Sequence, residues 1–274
     1  MITRFAPSPT GPLHLGHAAS ALFAWEKGRA GRFLLRIEDI DPARCRPDYA
    51  AWIEEDLRWL GLEWNGPVRT QSQHLPEYRD TLDRLDAEGL LYPCFCTRTE
   101  IAASASAPHG NDAPIYPGTC RHLDPAAAAA RSAAGEAHAL RLDMTAALHR
   151  TGPLTWSEHG EGRIPCCPEA FGDVVLARKD APASYHLCVT HDDAAQGVTL
   201  VTRGVDLRPA TSVHRVLQTL LGWPEPAYAH HPLLRGPDGN RLAKRDGAPA
   251  IRDLRAAGLA PEDVRRRIRE AIAS

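Results

Sequence analysis

The chain of 274 residues lacks any run of about 18 apolar residues, the length a membrane-spanning helix needs, so no segment is expected to cross a membrane. Its start, Met1 to Gly11, lacks the apolar core of a signal peptide, so secretion is not expected and a cytoplasmic location is. An excess of either charge is lacking too. The formal net charge of -2 gives no global attraction to nucleic acid, so an RNA partner would need a local basic face. There are seven cysteines, an odd number in a chain without a signal peptide, which argues against a disulfide framework and for a reducing compartment. No internal repeat is visible. With 43% apolar and 24% charged residues, wholesale disorder, a collagen-like chain and a coiled coil are excluded. What remains is a globular chain able to bury a full core, longer than the roughly 100–200 residues of one typical domain.

Ile2 to Phe5 reads as a short apolar strand, Ala6 to Gly16 as a Pro- and Gly-rich loop, and Ala18 to Lys27 as a helix stopped by Gly28. Phe33 to Ile37 is an unbroken apolar run of the kind that forms a buried parallel strand. Strand, helix and strand in this order make a βαβ unit, the seed of a doubly wound parallel sheet. Tyr49 to Leu60 and Leu75 to Glu88 have helical spacing and end at Gly61 and Gly89. The texture then changes to clustered cysteines and Ala-rich stretches. Residues 93–165 are read as an insertion between core halves at 1–92 and 166–250, with 251–274 as a helical tail. In the second half, Val174 to Leu176, Leu187 to Val189 and Val198 to Val201 read as strands, and Ser212 to Leu221 as a helix. The tail helix carries Val264 and Ile268 on one face.

Pro7 to His17 joins the first strand to the first helix, at the carboxyl edge of the sheet where ligands bind in open α/β folds. His14 and His17 stand three residues apart beside a helix N-terminus, a ready anion site. Gly16 has no side chain, so a flat base could lie against the backbone there. Imidazole donors near phosphates can stabilise the charge that grows during transfer. The bland alternative is a surface turn with two histidines; a His-x-x-His metal clip would lack a third ligand nearby.

Arg4 to Gly11 followed by His14-Leu15-Gly16-His17 resembles the opening of the glutamyl- and glutaminyl-tRNA synthetases, class I enzymes with a Rossmann-like core. Arg36 to Asp41 matches the next block of that family, and Arg241-Leu242-Ala243-Lys244-Arg245 is similar to its second nucleotide signature. That second motif departs from the usual form, with alanine where serine or methionine is common, but Lys244 is kept. Ser184 to Leu187, Asp192-Asp193 and Val201 to Leu207 also match, so the resemblance covers about residues 1–250 in order. It implies an α/β class I synthetase core, a doubly wound parallel sheet with an insertion. It also implies attack of a glutamate carboxylate on the α-phosphate of ATP, with Mg²⁺ expected alongside the nucleotide. His14, Gly16, His17 and Lys244 would serve ATP, with His14, His17 and Lys244 catalytic. Arg4, Phe5, Ala6, Pro7, Ser8, Glu38, Tyr185 and Arg203 would form the glutamate site. The chemistry agrees: two carboxylates want guanidinium forks, from Arg4 and Arg203, and an ammonium wants oxygens such as those of Glu38 and Tyr185.

Cys94, Cys96 and Cys120 cluster with Tyr116, and thiolates this close in a reducing compartment suit one tetrahedral structural zinc ion. Three sulfurs leave one position open. Spacing alone favours His122 or His109, whereas the family resemblance favours Tyr116, from the pattern Cys-x-Cys…Tyr-x-x-x-Cys. A phenol ionises only near pH 10 when free, so the metal would have to lower that strongly.

About thirty residues follow Lys244, enough for a loop and one helix but not for an anticodon-reading domain. The chain therefore resembles the truncated branch of the family. Those enzymes activate glutamate without tRNA and esterify it onto queuosine at the wobble position of tRNA(Asp). The block Asp192 to Thr199 also looks like this branch, and a monomer is expected. A locally basic C-terminus, with Arg252, Arg255, Arg265, Arg266, Arg267 and Arg269, is the candidate RNA face, against the alternative of a solvated helix paired with Glu262, Asp263 and Glu270. Rival functions are a core-only synthetase charging tRNA(Glu), a nucleotidylyltransferase, and an inactive nucleotide- or tRNA-binding paralogue. The second leaves Arg203, the Arg36 to Asp41 block and the cysteines unexplained. The third would show decayed signatures, yet His14, His17 and Lys244 are all present.

Overall fold

The computed structural model describes residues 1–97, 99–101, 115–234 and 249–273. In chain order its strands are β1 (Ile2–Phe5), β2 (Arg32–Ile37), β3 (Arg69–Thr70), β4 (Leu91–Cys94), β5 (Ala139–Leu142), β6 (Thr155–Glu158), β7 (Gly162–Pro165), β8 (Val175–Ala177), β9 (Leu200–Gly204) and β10 (Ala227–His231). The helices are α1 (Leu15–Gly28), α2 (Pro47–Trp59), α3 (Leu75–Ala87), α4 (Pro125–Ala133), α5 (Met144–Thr151), α6 (Tyr185–Ala195), α7 (Thr211–Leu221), α8 (Ile251–Ala256) and α9 (Pro261–Ala273).

β1, β2 and β3 pair in parallel, and α1 makes the first crossover. The buried face of α1 is mostly alanine, at Ala18, Ala21 and Ala24, which lets the helix lie close on the sheet. At Gly28 a Cβ would stand 2.3 Å from Thr3 Oγ1, so only glycine permits that approach. On its other side β1 lies beside β9, with Thr199 N donating to Ile2 O at 3.0 Å and Arg4 Nη1 to Thr202 O at 3.0 Å. β10 pairs in parallel with β9 and with β6, and β7 closes the edge antiparallel to β6. The strand order thus reverses between β1 and β9, the crevice where doubly wound sheets bind ligands.

A second, antiparallel sheet has the order β4-β5-β8. It divides the chain differently from the expected insertion at 93–165. β6 and β7 fall inside those bounds yet extend the core sheet, while β8, expected as a core strand, belongs to the antiparallel sheet. Leu187 to Val189 is not a strand but part of α6. That helix is buried on several sides, with Leu187, Cys188, Val189 and Thr190 all enclosed, and a short enclosed apolar run carries no periodicity to tell helix from strand. The tail packs where its apolar face requires. Val264 and Ile268 join Leu22, Leu35 and Leu57 in one core, each burial contributing about 1.5–3 kcal/mol. No described helix is long and apolar enough to cross a membrane.

Candidate active site and thiol cluster

A cavity of about 490 Å³ opens at the carboxyl ends of β1, β2 and β9. Arg4, Phe5, Ala6, Pro7 and Ser8 line it from β1 and its loop, and His14, Gly16 and His17 from the start of α1. Glu38, Tyr185 and Arg203 complete the set. The structure thus gathers the residues that the sequence singles out, except Lys244, which lies with Arg241 to Arg245 outside the described residues. The chain on both sides of that segment borders the cavity. Leu233 and Leu234 line it, Ala250 bridges to His14, and Ile251 N donates to Leu13 O at 2.8 Å.

His14 is the N-cap of α1, and its Nδ1 accepts from Gly16 N at 3.1 Å. His17 Nδ1 accepts from His14 N at 3.3 Å, and the two ring centroids are 3.7 Å apart. Histidine is an unusual cap, but its ring nitrogen does what a serine oxygen does elsewhere. Because Nδ1 accepts in both rings, the proton of each neutral ring sits on Nε2. The cap therefore sets the tautomer, with the Nε2–H of each neutral ring carried beside a helix N-terminus.

Arg203, next to last in β9, is almost fully buried and held by neutral acceptors. Its Nε donates to His230 Nε2 at 3.1 Å, its Nη2 to Thr211 Oγ1 at 2.6 Å, and its Nη1 meets His214 Nδ1 at 3.1 Å. His214 Nε2 in turn meets His186 Nδ1 at 3.2 Å, and His230 Nδ1 meets Glu158 at 2.8 Å. Burial first, and then the Arg203 charge, lower His186 and His230 to about 4 and His214 well below its ordinary value. All three rings are therefore neutral and can turn a lone pair toward the guanidinium. Among the described residues no carboxylate lies within ion-pair distance of Arg203. The guanidinium also bonds the Tyr185 phenol, itself a neutral group that lines the cavity. Gly204 follows, where a Cβ would stand 2.5 Å from Asp206 Oδ1 and 2.8 Å from Leu233 Cδ2.

Arg4 differs. It lines the cavity, but its fork is taken by Asp193, with Nε to Oδ1 at 2.8 Å and Nη2 to Oδ2 at 3.3 Å. The two guanidiniums are thus not equivalent, although both read as carboxylate forks in the sequence. Asp193 also takes Arg36 Nη2 at 2.5 Å, while Asp192 accepts from Arg69, Gln71 and Tyr78 at 2.8–2.9 Å. Burial alone would raise Asp192, but His191, Arg36, Gln71 and Arg69 bring it down to about 2. Glu38 responds the other way. Its side chain is only 10% exposed, and burial pushes it up to about 7 against the pull of Arg36 and Arg4. Arg36 Nη1 faces it at 3.8 Å and makes no hydrogen bond among the described residues. Burial also raises the Tyr185 phenol. Sequence reading noted Asp193 without a role and missed Glu158, His214 and His230. The His230-His231 doublet was the visible signal for the last.

The thiols of Cys94, Cys96 and Cys120 lie within 4.8 Å of one another and could hold a metal ion. Cys94 ends β4, and Cys120 sits on the turn 119–122. Tyr116 Oη reaches the same point, 3.7 Å from Cys96 Sγ and accepting from Cys120 N at 2.7 Å. The Arg141 guanidinium stacks on the Tyr116 ring at 3.9 Å. His122 does not join this group, and His109 lies outside the described residues.

The expected basic face on the tail is largely neutralised. Arg255 pairs with Glu55, Arg265 with Glu262, Arg266 with Asp263 and Arg269 with Glu26.

The family model of class I tRNA synthetases (E and Q), catalytic domain, matches residues 1–271. A glutamyl-Q tRNA(Asp) synthetase of Rhodobacter capsulatus is 53% identical, over 98% of this chain and 99% of that protein. One from Symbiobacterium thermophilum is 49% identical, over 95% and 83%. A glutamate–tRNA ligase of Aquifex aeolicus is 39% identical over 95% of this chain, which spans 54% of the ligase. The crystal structure of a glutamate tRNA ligase from Elizabethkingia meningosepticum, in complex with its amino acid, superposes with a TM-score of 0.74 at 28% identity. It covers 90% of this chain and 52% of that one. The chain therefore belongs to the class I tRNA synthetases of the glutamate and glutamine type, a ligase family, within the branch of the glutamyl-Q tRNA(Asp) synthetases.

Proposed function

We propose that this glutamate-activating synthetase makes glutamyl-adenylate without tRNA and passes the glutamate to a hydroxyl of queuosine at the wobble position of tRNA(Asp). Arg203 carries the reading. A buried cation held only by neutral groups, and facing a cavity, asks for an anionic ligand. The side-chain carboxylate of glutamate meets that need, while Glu38 and the Tyr185 oxygen receive its ammonium. One α-carboxylate oxygen then forms a bond to the α-phosphorus of ATP, and the bond to the leaving pyrophosphate breaks. In the second step the RNA hydroxyl oxygen bonds to the glutamyl carbonyl carbon, AMP leaves and the hydroxyl proton is released.

Catalysis of such phosphorus chemistry is mostly positioning and charge stabilisation. The Nε2–H donors of His14 and His17, with Lys244, serve the phosphates. Gly16 leaves room for the adenine, and Phe5, Ala6, Pro7 and Ser8 shape the wall between the two substrates. Mg²⁺ bound with the ATP would supply further charge neutralisation. Cys94, Cys96, Cys120 and Tyr116 fit a tetrahedral zinc ion, since three thiols and a phenol oxygen converge on one point; bound there, it would tie β4 to the turn 119–122. The reading includes a cytoplasmic monomer. ATP–pyrophosphate exchange without RNA tests the first step. Exchange should depend on glutamate and fail with glutamine or aspartate; exchange that requires tRNA would contradict it.

A further inference from the structure

We infer that a strip of two neighbouring rings flanked by cations beside the cavity mouth, formed by Arg46, Tyr49, Trp52 and Arg252, holds unpaired nucleotides of the RNA substrate's loop. This rests on the proposed function for the existence of an RNA substrate and adds where its loop is held.

Arg46 immediately precedes α2, and its guanidinium carbon stands 5.5 Å from the centre of the Tyr49 ring. The Tyr49 and Trp52 rings are 5.1 Å apart. Arg252, from α8, stacks on Trp52 at 3.8 Å. The strip is anchored to the site at both ends. Arg46 N donates to Pro9 O at 3.0 Å, and Arg252 follows two residues after Ala250, which bridges to His14.

Among the described residues neither Arg46 nor Arg252 has a carboxylate within ion-pair distance. Of the tail arginines Arg265, Arg266 and Arg269 do, and so do Arg58 and Arg255 on the neighbouring faces of α2 and α8, with Glu54 and Glu55. Arg46 and Arg252 thus make no ion pair of their own, although the charge of Arg252 is felt by the buried Asp56 of α2. A guanidinium stacked on a ring keeps its second face for a base and its N–H edge for a phosphate. A duplex needs only cations tracking its phosphates, because its bases are already stacked. Rings flanked by cations suit splayed bases on a single strand, as an RNA loop presents them.

The test uses the full chain and two RNA probes, an unmodified anticodon hairpin of tRNA(Asp) and a blunt duplex of equal length. The double variant Arg46→Glu, Arg252→Glu should bind the hairpin at least tenfold more weakly than the wild type at low salt. Two arginines lost from a single strand should reduce the log–log salt slope by about 1–1.5. Trp52→Leu should weaken hairpin binding while leaving the salt slope in place, and RNA-independent glutamate exchange should stay at the wild-type rate in both variants as a check on folding. Unchanged hairpin affinity in the double variant, or an equal loss on the duplex, would overturn the strip. Failure of the wild type to transfer glutamate to any RNA would instead strike the proposed function. Transfer that survives undiminished in the double variant strikes only the strip.

Discussion

Glu158 and His230 meet at 2.8 Å with side chains only 2% and 1% exposed, and this contact decides what Arg203 sees. Burial would raise the Glu158 carboxyl, but bonds from Trp156 Nε1, His230 N and the His230 ring hold it down. The ionised carboxylate accepts a hydrogen bond from the Nδ1–H of neutral His230, which leaves Nε2 with a lone pair for Arg203. Arg203→Ala is expected to abolish glutamate-dependent exchange. Glu158→Gln should act through orientation, raising KM for glutamate about tenfold with a smaller change in kcat. Unaltered kinetics of Arg203→Ala would remove that residue from the site.

His14 has two separable tasks, a cap and a donor. His14→Ala removes both, so stability should fall by about 1 kcal/mol. Exchange should fall about 10²–10³-fold. His14→Asn keeps an oxygen where Nδ1 stood and should recover most of the stability without the rate. Thermal unfolding and exchange kinetics on the two variants check this; recovery of both together would mean that the ring is only a cap.

Glu38 titrates at about 7 because burial outweighs the pull of Arg36 and Arg4. Its pKa is raised, so below pH 7 the free site holds a neutral carboxyl and loses its attraction for the substrate ammonium. KM for glutamate is therefore expected to climb as pH falls from 7 to 5, with proton release on binding in that window. Glu38→Gln should bind weakly at every pH with a flat profile there. A KM independent of pH in the wild type would contradict the role.

Metal analysis on purified protein is expected to give about one zinc per chain, held by three thiols and an oxygen. Cys120→Ser should lower that occupancy and the melting temperature together. Tyr116→Phe separates the fourth ligand from the thiols: retained zinc at unaltered affinity would assign that position elsewhere.

The fold of the first half was legible because its periodicity is local. Ile2 to Phe5, the alanine face of α1 and the apolar run ending at Ile37 each announce an element, and their order gives the βαβ unit. The second half was less so. Leu187 to Val189 carries no period, and the strands that join the β6–β7 hairpin and β8 to their sheets, β10 and β5, are distant in sequence, so no local pattern says which sheet takes them. The site residues came from motifs, which name groups that meet ligands. Motifs do not name what holds those groups in place. Asp193 taking the fork of Arg4, and Glu158, His214 and His230 around Arg203, are partners across up to 189 positions of chain, and only the packed structure joins them.

The account stands most directly on one assay: labelled glutamate and ATP incubated with the enzyme and tRNA(Asp), either carrying queuosine or lacking it. The expected result is stable labelling of the queuosine-containing tRNA alone, with tRNA(Glu) uncharged. Equal labelling of tRNA lacking queuosine, or charging of tRNA(Glu) in its place, would contradict it.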